Sequence, residues 1–376
     1  MPSKESLARA PSVTVLVNGS AVSVQGPRAR HLFGTSARIV YKTRGRLGSV
    51  PEVAKALVAE RPDWIYCIDL GVPSALLAAL RSKLDPTVRL AYELGDPARP
   101  LLEPQGRSAL EVRVAHEFDR RLPAGADALV FRGYYLERYF REHAAGGRSL
   151  PPNCFVPDGV DTQQFRPLRE HPDVLALKRA HGLEGRFVVG IVGSLHHNPR
   201  LGLFYGWDLA EALATLSPNE PIVGVVVGDG TGRDVLEATR TRLGLGERLK
   251  LVGRVSHDQV PLWMNAFDVG LSTQTDDPVG WGRTTAKLPE YLACGTVLAA
   301  TDVGEAHRLL AATGQTLRYQ GLRDDAYPRR LAAHLCELRR QDLSELRARN
   351  RDLALEHFDY RVLAVRVRNF LETTPR

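Results

Sequence analysis

The chain alternates short apolar runs with amphipathic segments, and it does so in two successive series. In the first half the runs are residues 13–17, 38–41, 64–69, 88–93 and 128–131. In the second they are 186–192, 222–227, 249–252 and 269–272. Segments of helical spacing separate them: 51–60, 73–84, 107–121 and 135–143, then 203–216, 231–243, 259–266 and 325–340. Strands that alternate with helices build parallel βαβ units. Two such series in 376 residues predict an α/β chain of two Rossmann-like domains, each long enough to bury its own core. Between them lies NCFVPDGVDTQQFRP, residues 153–167, a short strand to Pro157 followed by an Asp158-Gly159 turn. It reads as a hinge. The expected division is 1–152, the hinge 153–167, a second domain 168–343, and a C-terminal helical segment 344–376 that packs across both domains.

Glycines recur where second-half strands end: Gly193-Ser194, Gly228-Asp229-Gly230 and Gly253-Arg254. Ligands of open α/β sheets bind at that edge, because only there can backbone approach them closely. The stretch 276–305, DDPVGWGRTTAKLPEYLACGTVLAATDVGE, adds the chemistry. It reads as a loop with Gly280 and Gly282, then a short helix ended by Gly295, then a strand over 296–300. Pro289 fits only the first turn of that helix, and Thr284 or Thr285 is the expected N-cap. Free N–H groups with Arg283 and Lys287 beside them suit a phosphate or diphosphate. Glu290, about one turn in, is placed to accept two hydrogen bonds from a ribose diol. Together these features predict a nucleotide site. No G-x-G-x-x-G follows the first strand and no G-x-x-x-x-G-K-[ST] occurs, which disfavours an NAD enzyme and a P-loop ATPase.

Composition narrows the class further. The chain is 44% hydrophobic and 25% charged, which is ordinary for a globular protein. Its formal charge of +7 is carried almost wholly by arginine, as in chains from GC-rich bacterial genomes. No basic segment is interleaved with aromatics in a nucleic-acid module, so no nucleic-acid partner is expected. Cys67, Cys154, Cys294 and Cys336 are dispersed without metal-ligand spacing, which fits a reduced, cytoplasmic setting. The first twelve residues lack a signal-peptide core, and no run of about 18 apolar residues occurs.

Three segments resemble the large retaining glycosyltransferase family 4, whose members have the GT-B fold, two Rossmann-like domains facing a cleft. FVPDGVDTQQFRP (155–167) is similar to the family's interdomain segment. VVVGDGTGRDVLE and LVGRVSHDQVPLWMNAFDVGLST resemble its nucleotide-proximal strands. KLPEYLACGTVLAATDVGEA resembles its donor-binding helix and the following strand. The resemblance implies transfer of a hexosyl or related sugar from a UDP- or GDP-sugar to an acceptor hydroxyl, with retention and with neither metal nor cofactor. It implies that Glu290 holds the ribose, that Gly193 and Ser194 form the loop near the diphosphate, and that Arg254 and Val255 border the base. Lys287 and the N–H groups of Thr285 to Leu288 would hold phosphate oxygens. The family's first glutamate of an E-x7-E pair falls on Gly282 here, and Ser194 stands where arginine is common. Asp276, Asp277 or the backbone of Gly280 to Gly282 is expected to take over the sugar contact, and Arg200 or Arg283 the missing charge. Gly228 and Asp229 complete the expected donor set with Thr284.

Acceptor contacts are expected from first-domain strand ends: 18–20, 69–73 and 93–97. Glu93 and Asp96 follow a strand, and one of them is a candidate base; a carboxylate that only caps the next element reads equally well. His196, in the glycine loop beside the diphosphate, is a third catalytic candidate. Asp276-Asp277 as a metal pair is set against two solvated loop carboxylates, and the solvated reading is preferred. The acceptor is a small molecule, a glycan or a lipid-linked sugar. Arg113, Arg120, Arg121, Arg132, Arg138 and Arg141 leave a peripheral contact with the inner membrane open, although solvated helix faces are the preferred reading of them. Monomer and homodimer both remain open. Two other readings use the same features: a nucleotide-sugar 2-epimerase, and a non-catalytic nucleotide-sugar or nucleic-acid binding protein.

Overall fold

A computed structural model of the chain describes residues 10–375 except 24, 43–47, 49, 60, 70–71, 123–124 and 145–148. Most of the segment read for a leader, and Leu70 and Gly71 of the 69–73 loop, lie outside the described residues. The chain divides into two units, one of residues 1–99, 108–157 and 360–376, the other of 100–107 and 158–359.

The first unit is built on six parallel strands: β1 (Val13–Val17), β2 (Ala37–Tyr41), β3 (Trp64–Ile68), β4 (Arg89–Leu94), β5 (Ala128–Phe131) and β6 (Asn153–Phe155), in the order β2-β1-β3-β4-β5-β6. Its helices are α1 (Gln25–Phe33), α2 (Val50–Ala59), α3 (Val72–Leu84), α4 (Ala98–Leu102, where the chain passes between the units), α5 (Ala109–Arg121) and α6 (Leu136–Tyr139), the last continuing into a π-turn over Phe140–Ala144. Both sheet faces are buried, which is why the strands read as unbroken apolar runs. On one face Leu16, Ile65, Cys67, Leu90 and Leu129 pack with Val53, Leu57, Ala78 and Phe140. On the other, Val15, Tyr66, Ile68 and Val130 meet Ala29 and Leu32 of α1.

The second unit repeats the plan. Helix α7 (Pro172–Ala180) precedes β7 (Phe187–Val192). A two-stranded hairpin follows, β8 (His197–Asn198) with β9 (Leu203–Phe204), and leads into α8 (Trp207–Thr215). Next come β10 (Ile222–Val227), α9 (Arg233–Arg242), β11 (Leu249–Gly253), α10 (Val260–Ala266) and β12 (Val269–Ser272). The run ends with α11 (Pro278–Gly282), α12 (Lys287–Ala293), β13 (Val297–Thr301), α13 (Gly304–Leu310), β14 (Thr316–Leu317), α14 (Tyr327–Arg339) and α15 (Ser344–His357). The parallel sheet has the order β11-β10-β7-β12-β13-β14. Helices α8 and α14 cover one face, and α10, α12 and α15 the other.

Several expectations change. The segment 344–376 is two helices, α15 and α16 (Tyr360–Thr373), not one. The break falls at Asp359, which bridges to Val160 and accepts a 2.6 Å hydrogen bond from Thr162. Helix α15 belongs to the second unit. Helix α16 belongs to the first, where Leu363, Val367 and Leu371 close the sheet face that α1 covers. Residues 153–155, read as the start of the hinge, are the edge strand β6 of the first sheet, and the chain leaves that unit after Pro157. Residues 203–206, read as helix, belong to the hairpin and its exit; Gly206, at φ 92°, sets the true helix start. Helices α1, α4, α7 and α13 were not anticipated.

Candidate functional site

In the second sheet β7 has β10 on one side and β12 on the other, so successive connections leave it in opposite directions. Loops diverge at such a switch point and open a crevice at the carboxyl ends of the strands. A cavity of about 300 Å³ occupies that position. Its walls come from the loop and hairpin after β7 (His196, Asn198, Leu203, Phe204, Tyr205), from the start of α8 (Trp207, Asp208), from the loop after β12 (Thr273, Gln274, Thr275), and from Arg283 and Tyr319.

Glycine is required at the mouth. A Cβ on Gly228, whose φ is +145°, would lie 1.8 Å from the carbonyl oxygen of Gly193. Backbone hydrogen bonds from Gly193 N–H to Val227 (3.0 Å) and from Gly228 N–H to Gly253 (2.8 Å) stack the three strand ends. Close approach of backbone to a ligand needs this absence of side chains.

Helix α12 carries the charged pair. Lys287 Nζ donates to Glu290 Oε2 at 2.7 Å, and Glu290 is 8% exposed. The next residue, Tyr291, locks the helix to β7: its buried hydroxyl accepts the Val192 N–H at 3.0 Å. The helix starts after Ala286 with no side-chain cap, so neither Thr284 nor Thr285 is its N-cap; Thr285 lends its carbonyl to Leu288 N–H. The glycine loop is itself a short helix, α11, capped by Asp277, whose Oδ1 accepts from Gly280 N–H (2.9 Å) and Thr275 (2.8 Å). Asp276 accepts from Trp281 Nε1 at 2.7 Å. Both loop carboxylates, weighed above for a sugar or a metal, are engaged locally.

The cavity's own carboxylate escaped sequence reasoning. Asp208 is 2% exposed; one oxygen accepts the Thr273 hydroxyl and the other its neighbour's N–H, Leu209, at 2.9 Å. Burial raises its carboxyl above the usual range, and these hydrogen bonds oppose the shift. The Tyr205 phenol is raised too, by burial first and then by Asp208 and Glu290, so it lies within reach of both charges. Arg323 stacks over Trp207 at 4.4 Å and bonds the Gly202 carbonyl, tying the hairpin down beside the cavity. The Gly-Trp-Asp triplet at 206–208 is the signal available in sequence, hidden because the helix was placed to start at residue 203.

The remaining expected residues sort as follows. His196 and Arg283 line the cavity, and Gly193, where an added Cβ would lie 3.3 Å from the Tyr205 ring, stands beside it with Gly228. Ser194 and Arg254 are exposed, and Val255 packs on the core behind α10. Asp229 spends Oδ1 on the Gly230 N–H at 2.8 Å. Gly282 and Leu288 are buried in their helices. Arg200, at the hairpin turn, lies over Gly106 and not in the cavity wall. In the first unit, Glu93 is not an open strand-end carboxylate. It is 1% exposed, paired with Arg28 (Nε–Oε1 2.8 Å) and bonded by the Tyr66 hydroxyl at 2.7 Å. Arg28 also donates to the carbonyls of Val156 and Pro157. Glu93 as an acceptor base is therefore corrected: its oxygens are consumed by the core. Asp96 is half-buried near Asp69, whose carboxylate pairs with Arg132 at 2.8 Å.

Comparison with known proteins bears on the second unit. Residues 186–341 match the family described as glycosyl transferases group 1. This segment is therefore similar to group 1 glycosyltransferases over the strands and loops that build the site. Two curated relatives match part of the chain. They are a 2-deoxystreptamine glucosyltransferase of Streptomyces kanamyceticus, 34% identical over 153 residues, and a 2-deoxystreptamine N-acetyl-D-glucosaminyltransferase of Streptomyces fradiae, 31% identical over 154. Each match covers 40% of this chain, and only 36% and 33% of the relatives' lengths. Over the whole chain the fold is that of the GT-B glycosyltransferases. HepE of Anabaena in complex with UDP superposes with a TM-score of 0.73 at 22% identity, covering 96% of this chain and 100% of that one. Sucrose-phosphate synthase of Thermosynechococcus elongatus superposes at 0.71 with 14% identity, covering 96% and 98%. The matched segment holds the switch-point cavity, the strand-end glycines and the Lys287–Glu290 pair. Among the described residues no helix is long and apolar enough to cross a membrane.

Proposed function

We propose that the protein transfers a sugar from a nucleoside diphosphate sugar, UDP-linked in the first instance, to an acceptor hydroxyl. The observation that carries this reading is the cavity at the β7–β12 switch point, beside Lys287 and Glu290, inside the segment that matches group 1 glycosyltransferases. Glu290 accepts the ribose hydroxyls. Lys287 and Arg283 neutralise the diphosphate as it leaves, the electrostatic task on which such a reaction depends. The cavity, with Asp208, Thr273 and His196 in its wall, receives the sugar, so Asp208 takes the place of the glutamate missing at position 282.

Transfer proceeds with retention at the anomeric carbon and without a metal ion, the donor diphosphate itself accepting the acceptor's proton. The acceptor is a small aminocyclitol-like molecule; the names of the two Streptomyces relatives support this choice, as does a bacterial, natural-product setting. The test is incubation with UDP-glucose and UDP-N-acetylglucosamine in the presence of 2-deoxystreptamine. Stoichiometric UDP release, an α-linked product by anomeric proton coupling and an unchanged rate in EDTA are expected. Isomerised nucleotide sugar with no free UDP would assign an epimerase instead, and absence of any nucleotide-sugar binding would remove the reading.

A further inference from the structure

A second cavity, of about 340 Å³, lies at the opposite, amino-terminal edge of the second unit's sheet. It opens beside Gly295 and Thr296, which enter β13, and its lining combines the cationic Arg169, Arg347 and Arg351 with the apolar Pro167, Phe267 and Ala348. We propose that this cavity is a binding site for a small phosphorylated molecule, its phosphate held by Arg169 and Arg347 and its organic part lying on the apolar wall.

The charge arrangement argues for it. One carboxylate, Asp268, serves the cations here. Its Oδ2 is spent on the Val188 N–H at 2.8 Å, and its Oδ1 is shared by Arg169 and, at 3.5 Å, by Arg347. Among the described residues that long contact is the only partner of the Arg347 guanidinium. Lys178 stands in the same neighbourhood, and its ammonium has no hydrogen-bond partner among the described residues. Glu170, Asp342 and Asp352 also face the cluster, but all three are exposed, where water and salt screen them. Arg351 is held by the carbonyls of Phe165, Ala293 and Thr162 and serves as a fixed positive wall. Burial, and then the neighbouring Arg169, push the Arg347 guanidinium below its usual pKa, against the opposing pull of Asp268, Asp342 and Glu170. An anion between the two guanidinium forks supplies counter-charge, and the planar fork binds phosphate oxygens in pairs. The volume is at the low end of the roughly 300–1,000 Å³ of small-molecule sites, enough for an ester and not only a bare ion. No part of the donor site is used: Lys287 and Glu290 begin α12, and this cavity touches its far end at Cys294.

The experiment uses the full chain with UDP at saturation, so that the donor site is filled, and follows the thermal midpoint against inorganic phosphate, phenyl phosphate and sodium chloride of matched ionic strength. Both phosphates raise the midpoint of the wild type beyond the chloride control. Arg347→Gln and Arg169→Gln each weaken the apparent affinity at least tenfold, and UDP binding stays at the wild-type value in both. Phenyl phosphate binding more tightly than inorganic phosphate assigns an ester, and equal affinities assign free phosphate as the ligand. If a substitution lowers the starting midpoint, phosphorus NMR line broadening on the folded variant at low temperature replaces the melt. A phosphate response equal in wild type and both variants, or no greater than that of chloride, overturns the proposal. Failure of UDP to bind, with the phosphate response intact, bears on the donor reading alone.

Discussion

The hydroxyl of Thr273, just after β12, donates to the buried carboxylate of Asp208 in the first turn of α8. One hydrogen bond thus joins the loop after β12 to the start of α8, two walls of the cavity.

Replacing Thr273 by valine keeps the shape and removes the donor. Asp208 then holds a buried oxygen without its partner, at a cost of about 1–3 kcal/mol. The expected result is a lower urea midpoint together with a sugar-dependent loss: the KM for the nucleotide sugar rises several-fold while the Kd for UDP alone stays put. Steady-state kinetics and calorimetry on one preparation check both.

Glu93 should behave as a core residue. Glu93→Ala leaves Arg28 buried without its carboxylate and removes an acceptor from Tyr66. Breaking one partner of a buried pair costs about 3–5 kcal/mol. Denaturant unfolding should show a loss of that order. Glu93→Gln, which keeps an acceptor for Tyr66, should retain transfer activity wherever it remains folded; loss of activity with wild-type stability would return Glu93 to the list of bases.

Asp119 of α5 sets a pH dependence. Burial raises its carboxyl from the usual range to about 7, against a hydrogen bond it accepts from Ala98 N–H at 2.8 Å. A carboxyl with a raised folded pKa keeps its proton in the fold after the unfolded chain has lost it. Its contribution is therefore whole below about pH 4 and is lost as pH climbs to about 7, by at most about 4 kcal/mol. Asp119→Asn keeps the acceptor and removes the titration. The variant should be more stable than wild type at pH 8, with the gap closing towards pH 4, as read from urea midpoints at both.

Much of this was legible in the sequence. Strands such as β10 and β12 lie within unbroken apolar runs because helices cover both sheet faces, and their bounds are found to the residue. Lys287 and Glu290 were each legible as site residues, one for phosphate and one for a ribose, whereas their bond to one another, natural for residues three apart on a helix, was not read. Helix α1 was not, since it buries Arg28, whose partner Glu93 lies 65 residues away. The same long-range pairing made Glu93 look open. The hairpin of β8 and β9 has two residues per strand, too few for any period, and it displaced the start of α8 and with it Asp208. The break at Asp359 depends on Val160 and Thr162, which no local pattern around 344–376 reveals.

The site's central claim is that a nucleotide sugar is held at the carboxyl edge of the second sheet, with its ribose on Glu290. Calorimetric titration of UDP-glucose into wild type and Glu290→Ala tests it most directly. Loss of the charge-assisted pair of hydrogen bonds predicts at least tenfold weaker binding, about 1.4 kcal/mol or more, and an unaltered Kd in the folded variant would contradict it.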